Sequence, residues 1–549
     1  MQFRRHFLAV AASAMIVTPA FGNFDIQPLA TFQHGVIDEF DEIDASEAFD
    51  ESAAEIVVYD DVSQKFFVVN AFADTVDVLT LDEESLSLEF DSKLDLKDGI
   101  EGVDGFVTGG PNSVAVFNGL VAVAIEDDDK QANGRVAFFD AVSGDLINSV
   151  AAGALPDMVT FTPDGSKAVV ANEGEPSDDY LNDPEGSITI VDLSFGAAAA
   201  TTTQVSFAGF NGKENLLRAK GVRIFGPGAS AAQDLEPEYI AVSADSSTAF
   251  VSLQENNAIA AIDLRRAKVK AISPLGTKKF YRRGNELDYT NKDKAVNIVR
   301  APFVGMYQPD AIATFQRWGQ TFVVTANEGD ARDYDGFSEE VRVEDLNLDV
   351  NLIMNYPGFL NDDDLGRPKT TTVDGDTDGD GDVDVVHLYG ARSITVWKVR
   401  PNGKLRKVAD TGSILERAVA EQFPALFNAT NDEDGLDDRS DDKGPEPEAI
   451  SIAKIGGKPV AFVGLERSSQ VALFDLQNPF RPRLIQLVNN RVNGALGLDL
   501  GPESVIYIDK SDSPIDKALM AVANEVSGTT TVYTVKPQSR KHKTGDRDD

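Results

Sequence analysis

The sequence predicts an all-β fold, a seven-bladed β-propeller with its long loops on one face and its ring closed by an N-terminal strand. Three observations carry this expectation. A motif recurs seven times, with an acidic or amide residue at the start of one strand and usually a glutamate at the end of the next. The clearest copies break into short apolar runs separated by tight turns. One further strand-like run near the N-terminus has no partner beside it.

The copies follow in order. Glu55 with Asn70, and Pro111-Asn112 with Ile125-Glu126, are degenerate. Pro156-Asp157 goes with Ala171-Asn172-Glu173, Pro237-Glu238 with Leu253-Gln254-Glu255, and Pro309-Asp310 with Ala326-Asn327-Glu328. Pro447-Glu448 goes with Leu465-Glu466, and Pro502-Glu503 with Ala523-Asn524-Glu525. Copy six has runs at 448–453, 459–465, 470–476 and 483–488, the first turned by Gly456-Gly457. Copy three repeats the order with 158–162, the turn Pro163-Asp164-Gly165, 168–172 and 187–193; copy four has 239–243, 248–253 and 258–264. Copy seven lacks a fourth run, and the segment 26–32 is expected to supply it. Such closure removes the open sheet edges that invite aggregation.

In an antiparallel pair the start of strand one lies beside the end of strand two. The motif acids therefore fall at the same end of each blade, as two concentric sets of carboxylates. Long connections are expected there too: 174–186 and 329–391 within blades, and 211–234, 274–308 and 418–445 between them. The other face carries short turns, apart from a longer one near 510–517. The expected organisation is a signal peptide over 1–22, an N-terminal segment with the closing strand over 23–50, the propeller over 51–535 with its insertions at 329–391 and 418–445, and a polar tail over 536–549.

The N-terminus has the form of an export signal. Arg4 and Arg5 precede the apolar stretch 7–17, and Ala20-Phe21-Gly22 offers a small-residue cleavage site. The expected product is exported, periplasmic or extracellular, with no membrane span in the mature chain. It contains no cysteine, so no disulfide and no lipidated Cys. Formal charge is −40, and loss of 1–22 removes two arginines and no acids, giving −42. Such a surface repels nucleic acid and favours divalent cations.

The strongest local signal is Asp374, Asp376, Asp378, Asp380, Asp382 and Asp384 at alternate positions with interleaved glycines, a loop of hard oxygen ligands suited to calcium. No Glu stands at the twelfth position of either register, so a truncated calcium loop is expected rather than a full EF-hand. The second candidate is the double ring: Asp157, Glu173, Glu238, Glu255, Asp310, Glu328, Glu448, Glu466, Glu503 and Glu525. Two like charges 4 Å apart repel by about 4 kcal/mol at an effective dielectric near 20. Such rings need cations, either Ca²⁺ or the nearby Arg332, Arg392, Arg439, Lys443 and Arg467. A third acidic run, 431–438, has the residues for a further calcium loop, but as a charge run in a loop it reads first as a solvated segment. With four histidines, two of them at His6 and His542, a multi-histidine metal site is not expected. No G-x-S-x-G elbow, Walker loop or dinucleotide fingerprint is present. Trp318, Trp397 and His387 read as packing residues.

The paired strand-end motifs 171–175 and 326–332, the stretch 376–384 followed by Gly390-Ala391-Arg392-Ser393, and the stretch 438–448 together resemble the choice-of-anchor I family. That family is related to mesenchyme-specific cell-surface glycoproteins. The resemblance covers nearly the whole mature chain. It implies an exported propeller-like domain, usually tethered by varied C-terminal anchors, although none is visible here. Some relatives carry an alkaline phosphatase label. The expected function is an extracellular recognition or scaffold module that binds Ca²⁺ and a basic, mineral or polysaccharide partner. The alternative is a calcium-dependent phosphomonoesterase, with Arg332, Arg392 or Arg439 holding phosphate oxygens and Glu238 or Glu448 orienting the attacking water.

Overall fold

A computed structural model of the protein describes residues 24–37, 43–431, 435–491 and 499–537. The expected leader, Asp432, Glu433 and Asp434 of the third acidic run, and the tail beyond Pro537 lie outside the described residues.

Seven four-stranded antiparallel sheets follow one another along the chain. Their first strands are Val57–Asp60, Thr108–Phe117, Pro156–Phe161, Ile240–Val242, Ile312–Arg317, Pro447–Ile455 and Pro502–Ile508. Each contacts the next and the last contacts the first, so the sheets form a closed ring around an axis lined by these strands. The apolar clusters lie between neighbouring sheets. Phe462, Leu473, Val522 and Val535 fill the gap between blades six and seven; Phe66, Leu79, Ala521 and Val532 fill that between seven and one. Burial of both faces explains why the second and third strands are almost continuously apolar.

The seventh sheet is completed by Phe24–Gln33, antiparallel to Thr529–Pro537, with Ile26 opposite Val535 and Phe32 opposite Thr530. A buried polar cluster fixes the end of this strand. His34 Nδ1 lies 2.7 Å from Asp77 Oδ2 in blade one, and its Nε2 lies 2.9 Å from Thr530 Oγ1 in blade seven.

The recurrent Asn before the strand-end Glu has a structural task. Asn172 Nδ2 donates to Ser187 O and Thr189 Oγ1, Asn327 Nδ2 to Ser393 O and Thr395 Oγ1, and Asn524 Nδ2 to Thr529 O. In these three blades the bonds tie the end of strand two to the start of strand three. In blade five that loop is 63 residues long in the expectation 329–391, and its two ends cross at glycines. Gly329 (φ +99°) and Gly390 (φ +68°) touch so closely that a Cβ on Gly329 would lie 2.1 Å from Gly390 N.

The insertions build a small second core of Phe280, Phe303, Val343, Phe359, Val386 and Leu388. Thr277–Lys279, Val304–Met306 and His387–Leu388 form a three-stranded sheet within it, its last pair parallel. Trp397 is a packing residue, buried with its Nε1–H on Thr325 Oγ1. Trp318 is not: it is 59% exposed in a left-handed turn (φ +51°), over which Phe480 and Arg317 lie.

Candidate metal centre

In four blades a proline at or near the start of strand one is followed by a break in register. The ladder pairs Pro111, Pro156, Pro447 and Pro502, then skips Asn112, Asp157, Glu448 and Glu503. Proline fixes φ and donates no ladder bond, and the bulge leaves the next residue unpaired and re-aims its side chain. Here that aim is the propeller axis. Glu55, Asn112, Asp157, Glu238, Asp310, Glu448 and Glu503, one from each blade, line a single cavity of roughly 540 Å³. Glu126, Glu173 and Glu328 of the strand-two set share it. Beyond Ile56, Ser113, Met158 and Tyr239 the axis continues as a second cavity walled by strand residues such as Val58, Ala115, Thr160 and Ile506. The carboxylates are thus concentrated at one end.

Among the described residues the lining includes eleven carboxylates and one amine, Lys130, which lies 3.8 Å from Glu126. Burial and mutual repulsion push the acids upward. Glu238 stands well above the usual carboxylate range through burial and then through Glu255, Glu173 and Asp310. Glu448 and Glu503 do so through burial and then through Glu503 and Glu525 respectively. Asp310 follows through burial and Glu328. Burial carries Glu55 to about 8, Asp157 to about 7, Glu255 to about 7 and Glu466 to about 8. Glu173 and Glu328 are raised by the same cause.

Asp310, Glu328 and Glu448 offer oxygens within 4.8 Å of one another. Glu238 Oε2, Glu255 Oε2 and Glu448 Oε2 are buried without a hydrogen-bond partner. An unpaired buried acceptor is costly, and convergent oxygens are what a hard cation takes. These residues fit Ca²⁺. Glu255, Glu466 and Glu525 stand outside the lining, and Ser52 Oγ donates to Glu525 at 2.8 Å.

Beside this group lies a second one, Glu328, Glu446 and Glu466, also within 4.8 Å. The protein supplies its own cations there. Arg439 Nη2 (2.9 Å), Arg467 Nε (3.1 Å) and Lys443 Nζ (3.4 Å) surround Glu446, and Lys443 also meets Glu328 at 2.6 Å. Glu446 is held far below the usual range: Lys443, Arg439 and Arg467 outweigh its burial.

The other expected arginines serve elsewhere. Arg332 is buried against Asp234 (3.1 Å) and Glu236 (2.5 Å), with its guanidinium 4.5 Å from the Phe225 ring centre. Arg392 is buried against Glu416 (2.8 Å) and the carbonyls of Ser440 and Asp442. Neither these two nor Arg439 lines the cavity.

The aspartate loop divides. Asp374 is drawn aside by Arg223 Nε at 2.6 Å. Asp376 accepts from the N–H groups of Gly379 (2.6 Å) and Gly381 (3.0 Å), and Asp384 from Thr377 N and Oγ1. Asp376, Asp378 and Asp384 converge within 4.8 Å, as do Asp382, Asp384 and Asp349. Asp380 joins neither group. The folded loop thus gathers Asp376, Asp378 and Asp384 about one point and Asp382 and Asp384 with Asp349 about another, and follows neither full register. Asp349 was invisible to the loop pattern; it caps the helix Val350–Asn355 through Asn351 N and Leu352 N.

A family model described as the choice-of-anchor I domain matches residues 55–479. Gigasin-3a of Magallana gigas is 27% identical over 196 residues, 33% of this chain and 68% of that protein. The mesenchyme-specific cell surface glycoprotein of Strongylocentrotus purpuratus is 28% identical over 314 residues; the match spans 50% of this chain but 40% of the glycoprotein. Among solved structures, the Cps50 (Swd1) beta-propeller domain of Myceliophteria thermophila aligns with TM-score 0.43 and 8% identity, over 89% of this chain and 98% of that one. The WD40 domain of Toxoplasma gondii coronin aligns with TM-score 0.45 and 7% identity, over 95% and 89%.

Proposed function

The chain belongs to the choice-of-anchor I family, and from that premise we propose that it is an extracellular recognition or scaffold module charged with calcium at the acidic end of its propeller. The carrying observation is the convergence of one acidic or amide side chain per blade on a single cavity, with oxygens of Glu238 and Glu448 left unpartnered. The likeness to a cell-surface glycoprotein supports the setting. Among the described residues no helix is long and apolar enough to cross a membrane.

The chemistry follows from coordination number. Ca²⁺ takes six to eight oxygens. Asp310, Glu328 and Glu448 hold it from one side of the cavity, while Lys443 and Gln254 restrain Glu328. Positions facing the opening remain for oxygens of a partner: a polysaccharide carboxylate, a phosphate ester or a mineral surface. The 376–384 loop adds a second calcium position on an exposed insertion. The phosphomonoesterase alternative requires a guanidinium at the cavity, and Arg332, Arg392 and Arg439 are engaged with internal partners.

Calorimetric titration with Ca²⁺ tests the reading. Binding is expected, weakened by Glu448→Gln and accompanied by a higher melting temperature. A protein that melts identically in chelator and in millimolar Ca²⁺, with no heat of binding, would sink it.

A further inference from the structure

A separate knot of oxygen acceptors joins the segment 285–299 to residues 426–431 and 435–444, and none of its members lines the axial cavity. Asp288 is 1% exposed. Its Oδ2 accepts from Asn297 N, whereas its Oδ1 has no hydrogen-bond partner. Asn428 is fully buried in a left-handed conformation (φ +41°). Its amide nitrogen donates to Glu416 Oε1 (3.2 Å) and Ser440 Oγ (2.8 Å), and its Oδ1 is left with no donor. Asp437 is fully buried as well, accepting from Ser440 Oγ at 2.5 Å and Ala295 N at 3.3 Å.

Two shared partners hold these groups together. Glu416 Oε1 accepts from Asp288 N (3.3 Å) and from the Asn428 amide, so Asp288 and Asn428 are neighbours. Ser440 Oγ joins Asn428 to Asp437. Arg392, beside the cluster, spends its donors on Glu416 and on the carbonyls of Asp288, Ser440 and Asp442. Among the described residues, no lysine, arginine or histidine pairs with the carboxylate of Asp288 or Asp437. The nearby Lys294 pairs with Asp438 instead. Two buried carboxylates and an amide oxygen therefore belong to one hydrogen-bonded cluster, with no lysine or arginine among the described residues paired to either carboxylate. Burial pushes Asp288 to about 7 and Asp437 to about 8, and Asp288 adds to the latter.

We propose that Asp288 Oδ1, Asn428 Oδ1 and the Asp437 carboxylate bind a structural Ca²⁺ ion that pins these two insertion segments together. The donor set is all oxygen, which suits calcium over softer metals. Two negative charges match one divalent ion, and both unpartnered oxygens acquire a ligand. The ion is distinct from any in the axial cavity or the 376–384 loop.

Hydrogen exchange of the full chain, read on peptides covering 288–299, tests this site alone. Calcium at about 100 times its dissociation constant should slow local opening roughly 100-fold. The slowing should persist in a Glu448→Gln, Asp376→Asn double variant, which weakens the other two positions, and disappear in Asp288→Asn. In chelator, Asp288→Asn should melt at or above the wild-type temperature, because it removes an uncompensated buried charge; in calcium it should melt below. Unchanged exchange of 288–299 on adding Ca²⁺ to the wild type overturns the proposal. So does slowing that survives in Asp288→Asn. The wild-type measurement decides even if that variant fails to fold. Loss of calcium protection at 288–299 with calorimetric binding at the cavity intact separates this failure from failure of the axial reading.

Discussion

Glu446 and Glu448 stand two residues apart at the inner end of blade six, and their environments drive them in opposite directions. Glu446 is fully buried and met by Lys443, Arg439 and Arg467, which hold it ionised. Glu448 is pushed far up by burial and by Glu503, Glu466, Glu328 and Asp310, and one of its oxygens has no partner. The side chain and the stretch of chain are the same in kind. The difference lies in who supplies the positive charge. Around Glu446 the fold does so with its own bases; around Glu448 it leaves the task to a proton or a metal ion. The first arrangement is neutralised within the fold; the second is the one on which the proposed calcium reading rests.

Substitution separates the two most sharply. Glu446→Gln leaves three buried or half-buried cations without their common partner, and breaking a buried pair costs about 3–5 kcal/mol. Urea unfolding should register that loss with and without calcium. A change of only a few tenths would place Glu446 in the same class as Glu448.

Acid and base extend the contrast to the whole ring. Glu55 and Glu466 at about 8 and Asp157 and Glu255 at about 7 exceed the carboxylate values of an unfolded chain. The native state then binds more protons than the unfolded one between those limits. Without calcium, stability should therefore fall as pH rises from about 4.5 toward 8, by up to about 1.4 kcal/mol per pH unit for each proton so retained. Calcium favours the ionised form, so the stability difference between calcium and chelator should widen over the same window. Melting curves at pH 5, 6.5 and 8 measure it; parallel lines would mean that the ring stays protonated or is neutralised internally.

Glu448→Gln should weaken calcium binding at least about tenfold, as expected when a metal's ligand shell is depleted. In chelator its stability should match or exceed that of the wild type. The smallest effect is expected at the exposed loop. Asp376→Asn should remove one calcium equivalent in metal analysis while changing global stability by less than about 0.5 kcal/mol.

Much of this was legible in the residues. A proline followed by an acid, repeated at blade spacing, fixes both the strand start and the bulge that turns Asp157, Glu448 and Glu503 inward. Antiparallel pairing then determines which end of the sheet each acid occupies. The closing strand announced itself by having no local partner. What stayed hidden depends on contacts between distant segments. Nothing near Asp374 indicates that Arg223, 151 positions away, will draw it away from Asp376, Asp378 and Asp384. Arg332 and Arg392 follow the glycines at the crossing of the long insertion, and only the folded crossing shows that both turn into the protein. Asp349, Asp288 and Asn428 carry no motif at all; their partners come from other loops. The parallel pairing of Val304–Met306 with His387–Leu388 is equally nonlocal.

The strand Phe24–Gln33 hydrogen-bonds to Thr529–Pro537, so the earliest and latest strands of the ring are neighbours. During synthesis or translocation the first must wait for nearly all the rest of the polypeptide before its partner emerges. Until then the unfinished molecule exposes two raw β margins, each a template for a neighbouring copy. A truncation at either extremity should therefore leave a sticky arc instead of a circle.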